Sequence, residues 1–295
     1  MRVFVTGATG FIGSAVVQEL RQAGHQVLGL ARSEEAAQAL AAAGAEAHRG
    51  TLDDLDSLRR GAAASEGVIH LGFIHDFSNY AAAAETDKRA IETLGEALAG
   101  SGRPLVATSG LAGLQKQPGQ LATETDAVSP QMPRVSEATA LALVAKNVRA
   151  SVVRLAPTVH GAGDHGFVPT LLNFARQQGM AVYAGTGDNQ WAAVHRADAA
   201  RLFRLALEQG PAGARYHGVA EEGIPMREIM TTIGRRLGLP TEAKPPQESA
   251  AHLGWLAYFA GLDMAASSAQ TQQQLGWHPT QPGLLADMEA HYFES

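Results

Sequence analysis

The seven residues Gly7-Ala8-Thr9-Gly10-Phe11-Ile12-Gly13 constrain this chain more than any other stretch. Residues 2–5 before them read as a strand, and apolar residues recur at helical spacing over residues 11–23. Glycines at a strand-to-helix junction answer two physical demands. One is the positive φ of a tight turn, which only glycine tolerates freely. The other is close approach of bare backbone to a pyrophosphate. The helix start adds free N–H groups and a positive dipole end. The junction therefore predicts the phosphate turn of a βαβ nucleotide-binding unit, with Gly7, Thr9, Gly10, Phe11, Ile12 and Gly13 against the phosphates. The spacing is G-x-x-G-x-x-G, a variant of the better-known G-x-G-x-x-G.

The rest of the first half keeps the rhythm. Strands are predicted at residues 26–30, 45–48, 67–71, 104–108 and 151–155, and helices at 34–43, 55–61, 77–100 and 134–146. This alternation predicts an α/β fold, a Rossmann doubly wound parallel sheet with right-handed crossovers. After Gly161 the rhythm breaks, and residues 191–195 and 197–207 supply one more strand–helix step. Residues 1–160, with 188–222 returning to them, are expected to form the dinucleotide domain; 161–187 and 223–295 are expected to form a smaller substrate lobe.

Composition removes several function classes. A 45% hydrophobic, 18% charged chain can bury a large core. The net charge of −6 argues against nucleic acid or an anionic membrane as partner. Without cysteine there is no disulfide, thiolate or cysteine–metal chemistry. No apolar run reaches the roughly 18 residues of a membrane span, and none after Met1 reads as a signal segment. A cytoplasmic monomer or homodimer acting on a small molecule is expected. His160, Asp164 and His165 are metal-ligand types, but nothing in their spacing makes them converge, so no metal is expected.

The second strand ends Gly29-Leu30-Ala31-Arg32-Ser33, with no acidic residue to take a ribose 2′-hydroxyl. Arg32 suits a 2′-phosphate and Ser33 can donate to it, so NADP(H) is expected over NAD(H). The alternative is a solvated arginine beside a serine helix cap.

Four stretches in order then resemble the extended short-chain dehydrogenase/reductase (NAD-dependent epimerase/dehydratase-like) family, across essentially the whole chain. They are the TGATGFIG turn, Arg154-Leu155-Ala156-Pro157-Thr158-Val159-His160-Gly161, Val194-His195-Arg196-Ala197-Asp198-Ala199-Ala200, and Leu275-Gly276-Trp277-His278-Pro279. The resemblance implies that Thr51 and Leu52 border the adenine. It places Leu71, Gly72 and Phe73 beside the ribose and pyrophosphate, and Pro157 and Thr158 beside the nicotinamide. Thr108 would close the fifth strand, and Ser109 would match the family's catalytic serine. The family's Tyr-x-x-x-Lys pair is absent: Pro133 stands at the tyrosine position and Glu137 at the lysine position.

A non-standard proton donor is therefore expected. Candidates follow the fourth strand (His75, Asp76, Tyr80) and the sixth (His160, Asp164, His165). Histidine suits the work because it titrates near neutral pH. Ser109, His75, His160 and Glu137 are the catalytic candidates; Asp76, His165, Phe167, Trp191 and Trp255 are the pocket candidates. The expected activity is NADPH-dependent reduction of a carbonyl or imine on a small apolar molecule. A non-catalytic NADP(H)-binding sensor and a nucleotide-sugar epimerase or dehydratase are the other two readings.

Overall fold

The computed structural model describes residues 1–76, 79–117 and 119–293. The chain opens β1 (Arg2–Thr6), α1 (Phe11–Gln22), β2 (Gln26–Ala31), α2 (Glu34–Ala42), β3 (Glu46–Arg49), α3 (Leu55–Ala63), β4 (Gly67–His70), α4 (Tyr80–Leu98) and β5 (Pro104–Gly110). It continues α5 (Ser136–Ala142), β6 (Arg149–Leu155), β7 (Thr158–His160), α6 (Phe167–Gln178), β8 (Ala181–Ala184), β9 (Gln190–His195), α7 (Arg196–Gln209) and β10 (Arg215–Gly218). It closes β11 (Glu221–Pro225), α8 (Met226–Leu237), β12 (Thr241–Lys244), α9 (Pro246–Leu253), α10 (Ala257–Ala260), α11 (Ala269–Leu275) and α12 (Leu284–His291).

Seven strands form one parallel sheet in the order β10-β6-β5-β4-β1-β2-β3. Parallel strands need cover on both faces, and the inner strands β1, β2 and β4 are accordingly nearly continuous apolar runs. Along β1, Val3 and Val5 join the core under α1, α2 and α7, while Phe4 joins the core under α3, α4 and α5. That split is the period-two alternation of a strand. The strand order reverses between β1 and β4, and the crevice beyond that switch point is where such sheets take ligands.

A second apolar core gathers α6, α8, α9 and α10 beside the β11-β9-β7 sheet. Trp191 belongs there. Wholly buried, with Nε1 donating to the Phe259 carbonyl at 3.2 Å, it is a core residue and not the pocket wall expected of it. The two late motifs clamp each other: Trp277 Nε1 donates to the Asp198 carbonyl, and the Asp198 carboxylate accepts the Thr280 and Gln281 amides. Among the described residues no helix is long and apolar enough to cross a membrane.

Two local expectations shift. The helix expected over residues 134–146 begins only at Ser136, tightens to a 3-10 turn at Leu143–Lys146 and ends at Asn147 with φ +54°. Phe77, the expected start of the fourth helix, lies outside the described residues. Strand β10 escapes sequence reading because Arg215-Tyr216-His217-Gly218 is not an apolar run; its His217 is nevertheless fully buried against β6.

Candidate active site

The glycine turn is wound as tightly as its sequence demands. Gly7 has φ +66°, and a Cβ there would stand 2.8 Å from the Gly72 nitrogen. A Cβ on Gly13 would stand 1.9 Å from the Gly7 carbonyl oxygen, which already accepts the Gly10 amide at 3.0 Å. The start of α1 has no side-chain cap and no acidic residue in its first turn. Thr9 and Gly10 are exposed, and Phe11 and Ile12 are half-buried. Its first amides have no intrahelical partner, so they form a bare, electropositive cradle. A pyrophosphate fits those requirements.

A buried polar network holds the wall opposite. Thr6 Oγ1 accepts the Gly72 amide at 3.1 Å and bonds His70 Nδ1 at 2.8 Å. His70 Nε2 lies 3.2 Å from Asp87, which also receives the Ser136 hydroxyl. Thr108 Oγ1 donates to the His70 carbonyl at 2.8 Å. Burial pushes the Asp87 carboxyl up, but His70, Arg134 and Ser136 outweigh it and hold it below its ordinary value. The network ties the ends of β1, β4 and β5 together, and with them Leu71 and Gly72. Leu52 packs over Gly72, within 3.0 Å of where a Cβ would stand, while Thr51 is exposed.

At the tip of β2, Ser33 Oγ accepts the Ala36 amide at 3.2 Å and so caps α2. Arg32 is exposed and forms no ion pair or hydrogen bond through its side chain among the described residues. Arg49, at the neighbouring tip of β3, donates to the Ser33 carbonyl and pairs with Glu34. Sequence reading missed Arg49, since it looked for charge only on the second strand.

At the other end of the crevice stands Ser109. It is half-buried, with its hydroxyl unengaged among the described residues. Thr158 turns inward, its hydroxyl donating to the Ala192 carbonyl at 2.7 Å; Pro157 is half-buried. Pro133 is exposed and precedes α5 altogether. Next to it, Arg134 reaches into the site. Its Nη2 donates to the Thr108 carbonyl at 3.1 Å and its Nε to Ser136 at 2.8 Å, and its guanidinium lies 4.1 Å from the centre of the Phe73 ring. The signal was present in the sequence, one position past the missing tyrosine, but a search for tyrosine and lysine passes over a cation there.

Two of the candidate histidines converge here. His75 sits edge-on to Phe73 at 5.3 Å, and His165 edge-on to Phe11 at 5.8 Å. Partial desolvation, then the charges of Arg134 and His165, lower the His75 pKa. Tyr80 packs 5.9 Å from Phe73, and burial raises its pKa. Asp76 is exposed on the same segment.

Two other candidates stand elsewhere. Glu137 faces away into β6, where Arg154 grips both its oxygens at 2.7 Å and Arg215 adds a third contact at 2.8 Å. His160, the last residue of β7, is buried, with Nδ1 2.9 Å from Asp287 of α12 and its ring 5.4 Å from His195. Asp164 accepts the Tyr292 hydroxyl at 2.6 Å, and burial raises its pKa. These groups pin the loop carrying His165 from behind.

Phe167 and Trp255 form an aromatic patch, their rings 6.0 Å apart, with Trp255 47% exposed. A cleft of about 150 Å³ opens near the end of β5, lined by Leu111, Gly113, Leu114, Lys116, Tyr258 and Leu262. Lys116 was not anticipated.

Comparison with known proteins agrees with the fold. A family model described as the NAD dependent epimerase/dehydratase family matches residues 3–217. An uncharacterized protein of Schizosaccharomyces pombe is 52% identical over 290 residues, covering 98% of each chain. A Stigmatella aurantiaca protein named as a 4-hydroxy-2-methyl-3-oxo-4-farnesyl-3,4-dihydroquinoline-1-oxide ketoreductase is 27% identical, over 94% of this chain and 92% of its own. Among solved structures, the dTDP-glucose 4,6-dehydratase DesIV of Streptomyces venezuelae, with NAD bound, superposes with a TM-score of 0.79 at 20% identity, over 99% of this chain and 96% of that one. The chain belongs to the NAD dependent epimerase/dehydratase family, whose members bind nicotinamide dinucleotides.

Proposed function

We propose that the protein is an NADP(H)-dependent oxidoreductase that reduces a carbonyl or imine group of a small, largely apolar molecule. The observation that carries this reading is the alignment of one crevice. It has an uncapped, acid-free helix start in the middle, Arg32 at one end and the unengaged Ser109 hydroxyl at the other. Bound there, NADPH supplies a hydride at its nicotinamide ring. The residues do the remainder. The α1 amides hold the phosphates. Leu52 and Gly72 pack together as one wall of the crevice, and Ser109 directs the acceptor atom. The ketoreductase relative supports reduction. The absent tyrosine and lysine weigh against sugar epimerisation, which relies on them.

The test is NADPH oxidation by the purified protein against a panel of aldehydes, ketones and cyclic imines; tight NADPH binding without turnover of any of them would favour the non-catalytic reading. Cofactor preference has its own check. Arg32→Glu removes a charge-assisted contact to the 2′-phosphate, of the class worth about 1.5–3 kcal/mol. NADPH affinity should fall about 10- to 100-fold while NADH affinity holds or rises. Equal losses for both cofactors would show that Arg32 does not read the 2′-phosphate.

A further inference from the structure

We propose that Arg134 binds the acceptor oxygen of the substrate, which makes this a site for a carbonyl and not for an iminium; the proposal rests on the reductase reading above. The guanidinium is held on three sides. Nε donates to Ser136 at 2.8 Å, Nη2 donates to the Thr108 carbonyl at 3.1 Å, and the Phe73 ring lies beneath at 4.1 Å. Thr108 is the residue bonded to Ser109, so the held cation and the unengaged hydroxyl share one strand end. The third nitrogen, Nη1, makes no hydrogen bond among the described residues and is not buried away from solvent. The side chain as a whole is 18% exposed. A fixed donor with one free edge is pre-organised for an oxygen that becomes negative during reaction.

The charges around it leave that role open. Asp87 is the carboxylate paired with it, 3.6 Å from Nε, but Asp87 also takes the Ser136 hydroxyl and faces His70. His75 is pushed towards its neutral form and Tyr80 towards its protonated form, so neither adds a negative charge. Arginine keeps its protons throughout the working range of an enzyme. It therefore stabilises an oxyanion without giving it a proton. As the carbonyl is reduced, a C–H bond forms with the hydrogen delivered by the reduced nicotinamide, which is oxidised. The C–O π bond breaks, and its electron pair settles on the oxygen beside Arg134 and Ser109. That oxygen then takes a proton from water. An iminium carries positive charge, and the same cation repels it.

The experiment uses benzoate, whose carboxylate imitates the oxyanion, titrated calorimetrically into the full-length protein saturated with NADP⁺. Benzoate should bind the wild type, bind Arg134→Ala at least about tenfold more weakly, and bind Arg134→Lys with intermediate affinity. Millimolar guanidinium should restore binding to Arg134→Ala, which a purely structural role would not allow. NADP⁺ affinity should stay within about twofold in each variant; if Arg134→Ala has lost it, the Arg134→Lys comparison decides. Benzoate affinity unchanged by substitution, or no benzoate binding by the wild type, would overturn the proposal, as would faster turnover of cyclic iminium ions than of aldehydes or ketones. Absence of any turnover overturns the reductase reading instead, and leaves the benzoate result standing on its own.

Discussion

Gly13→Ala should lower NADP(H) affinity about a hundredfold or more and destabilise the fold by about 1–3 kcal/mol, the range for an overpacked interior. The new methyl would stand 1.9 Å from the Gly7 carbonyl oxygen, 2.8 Å from the Gly7 carbonyl carbon and 3.0 Å from Ala8 Cα. All three are backbone atoms, so no rotamer change relieves the clash. Either α1 lifts from β1 or the turn opens, and each movement takes the first helical amides away from the phosphates. Losing two hydrogen bonds to a charged group, at about 1.5–3 kcal/mol each, accounts for a hundredfold loss. Urea denaturation and fluorescence titration with NADPH measure the two effects separately. Ser14→Ala is the control: Ser14 is exposed, donates only to the Phe11 carbonyl and should change stability by less than about 0.5 kcal/mol. Undiminished cofactor affinity in Gly13→Ala would mean that the phosphates do not rest on this turn.

Glu137→Ala should cost about 3–5 kcal/mol of stability, because it strands a buried cation. Arg154 is fully buried, and its guanidinium is matched by the Glu137 carboxylate together with the Glu124 and Asp126 carbonyls. The acidic limb of stability carries the same signature. Burial alone would raise the Glu137 pKa, but hydrogen bonds and charge from Arg154 and Arg215 outweigh it and leave it lowered. A folded-state pKa below the unfolded one, near 4.3, means the contribution is complete above that pH and is lost as pH falls through the lower folded value. The gap between wild type and variant in urea denaturation should therefore be constant near neutrality and close in acid. NADPH affinity of the folded variant should be unchanged. A variant of near-normal stability that had lost turnover would return Glu137 to the catalytic candidates.

Much of the molecule was legible in the sequence because it is encoded locally. The Gly7–Gly13 turn, the alternation of apolar strands with amphipathic helices, and the acid-free tip at Arg32 each occupy a few consecutive residues. Steric limits on φ and the two periodicities act at that range. The helix expected from residue 134 shows the limit. Its first residues are taken instead by tertiary bonds, Arg134 to Thr108 and Ser136 to Asp87, the latter 49 positions away. Local propensity cannot anticipate those competitors.

Side-chain direction was the other illegible part. Glu137 and Arg134 lie three residues apart, yet one faces β6 and the other the crevice, because α5 begins between them. His160 and His165 look equivalent as loop histidines. The last residue of β7 points inward to Asp287, 127 positions along the chain, while His165 comes out against Phe11. By itself, then, the sequence determined six of the seven strands of the sheet, the glycine turn and the acid-free tip of the second strand, all consequences of short-range sterics and periodicity. Which cation meets which carboxylate, and that Arg134 reaches the end of β5 while Glu137 turns to β6, only the tertiary structure decided, because strand register and helix start set those encounters across long stretches of chain.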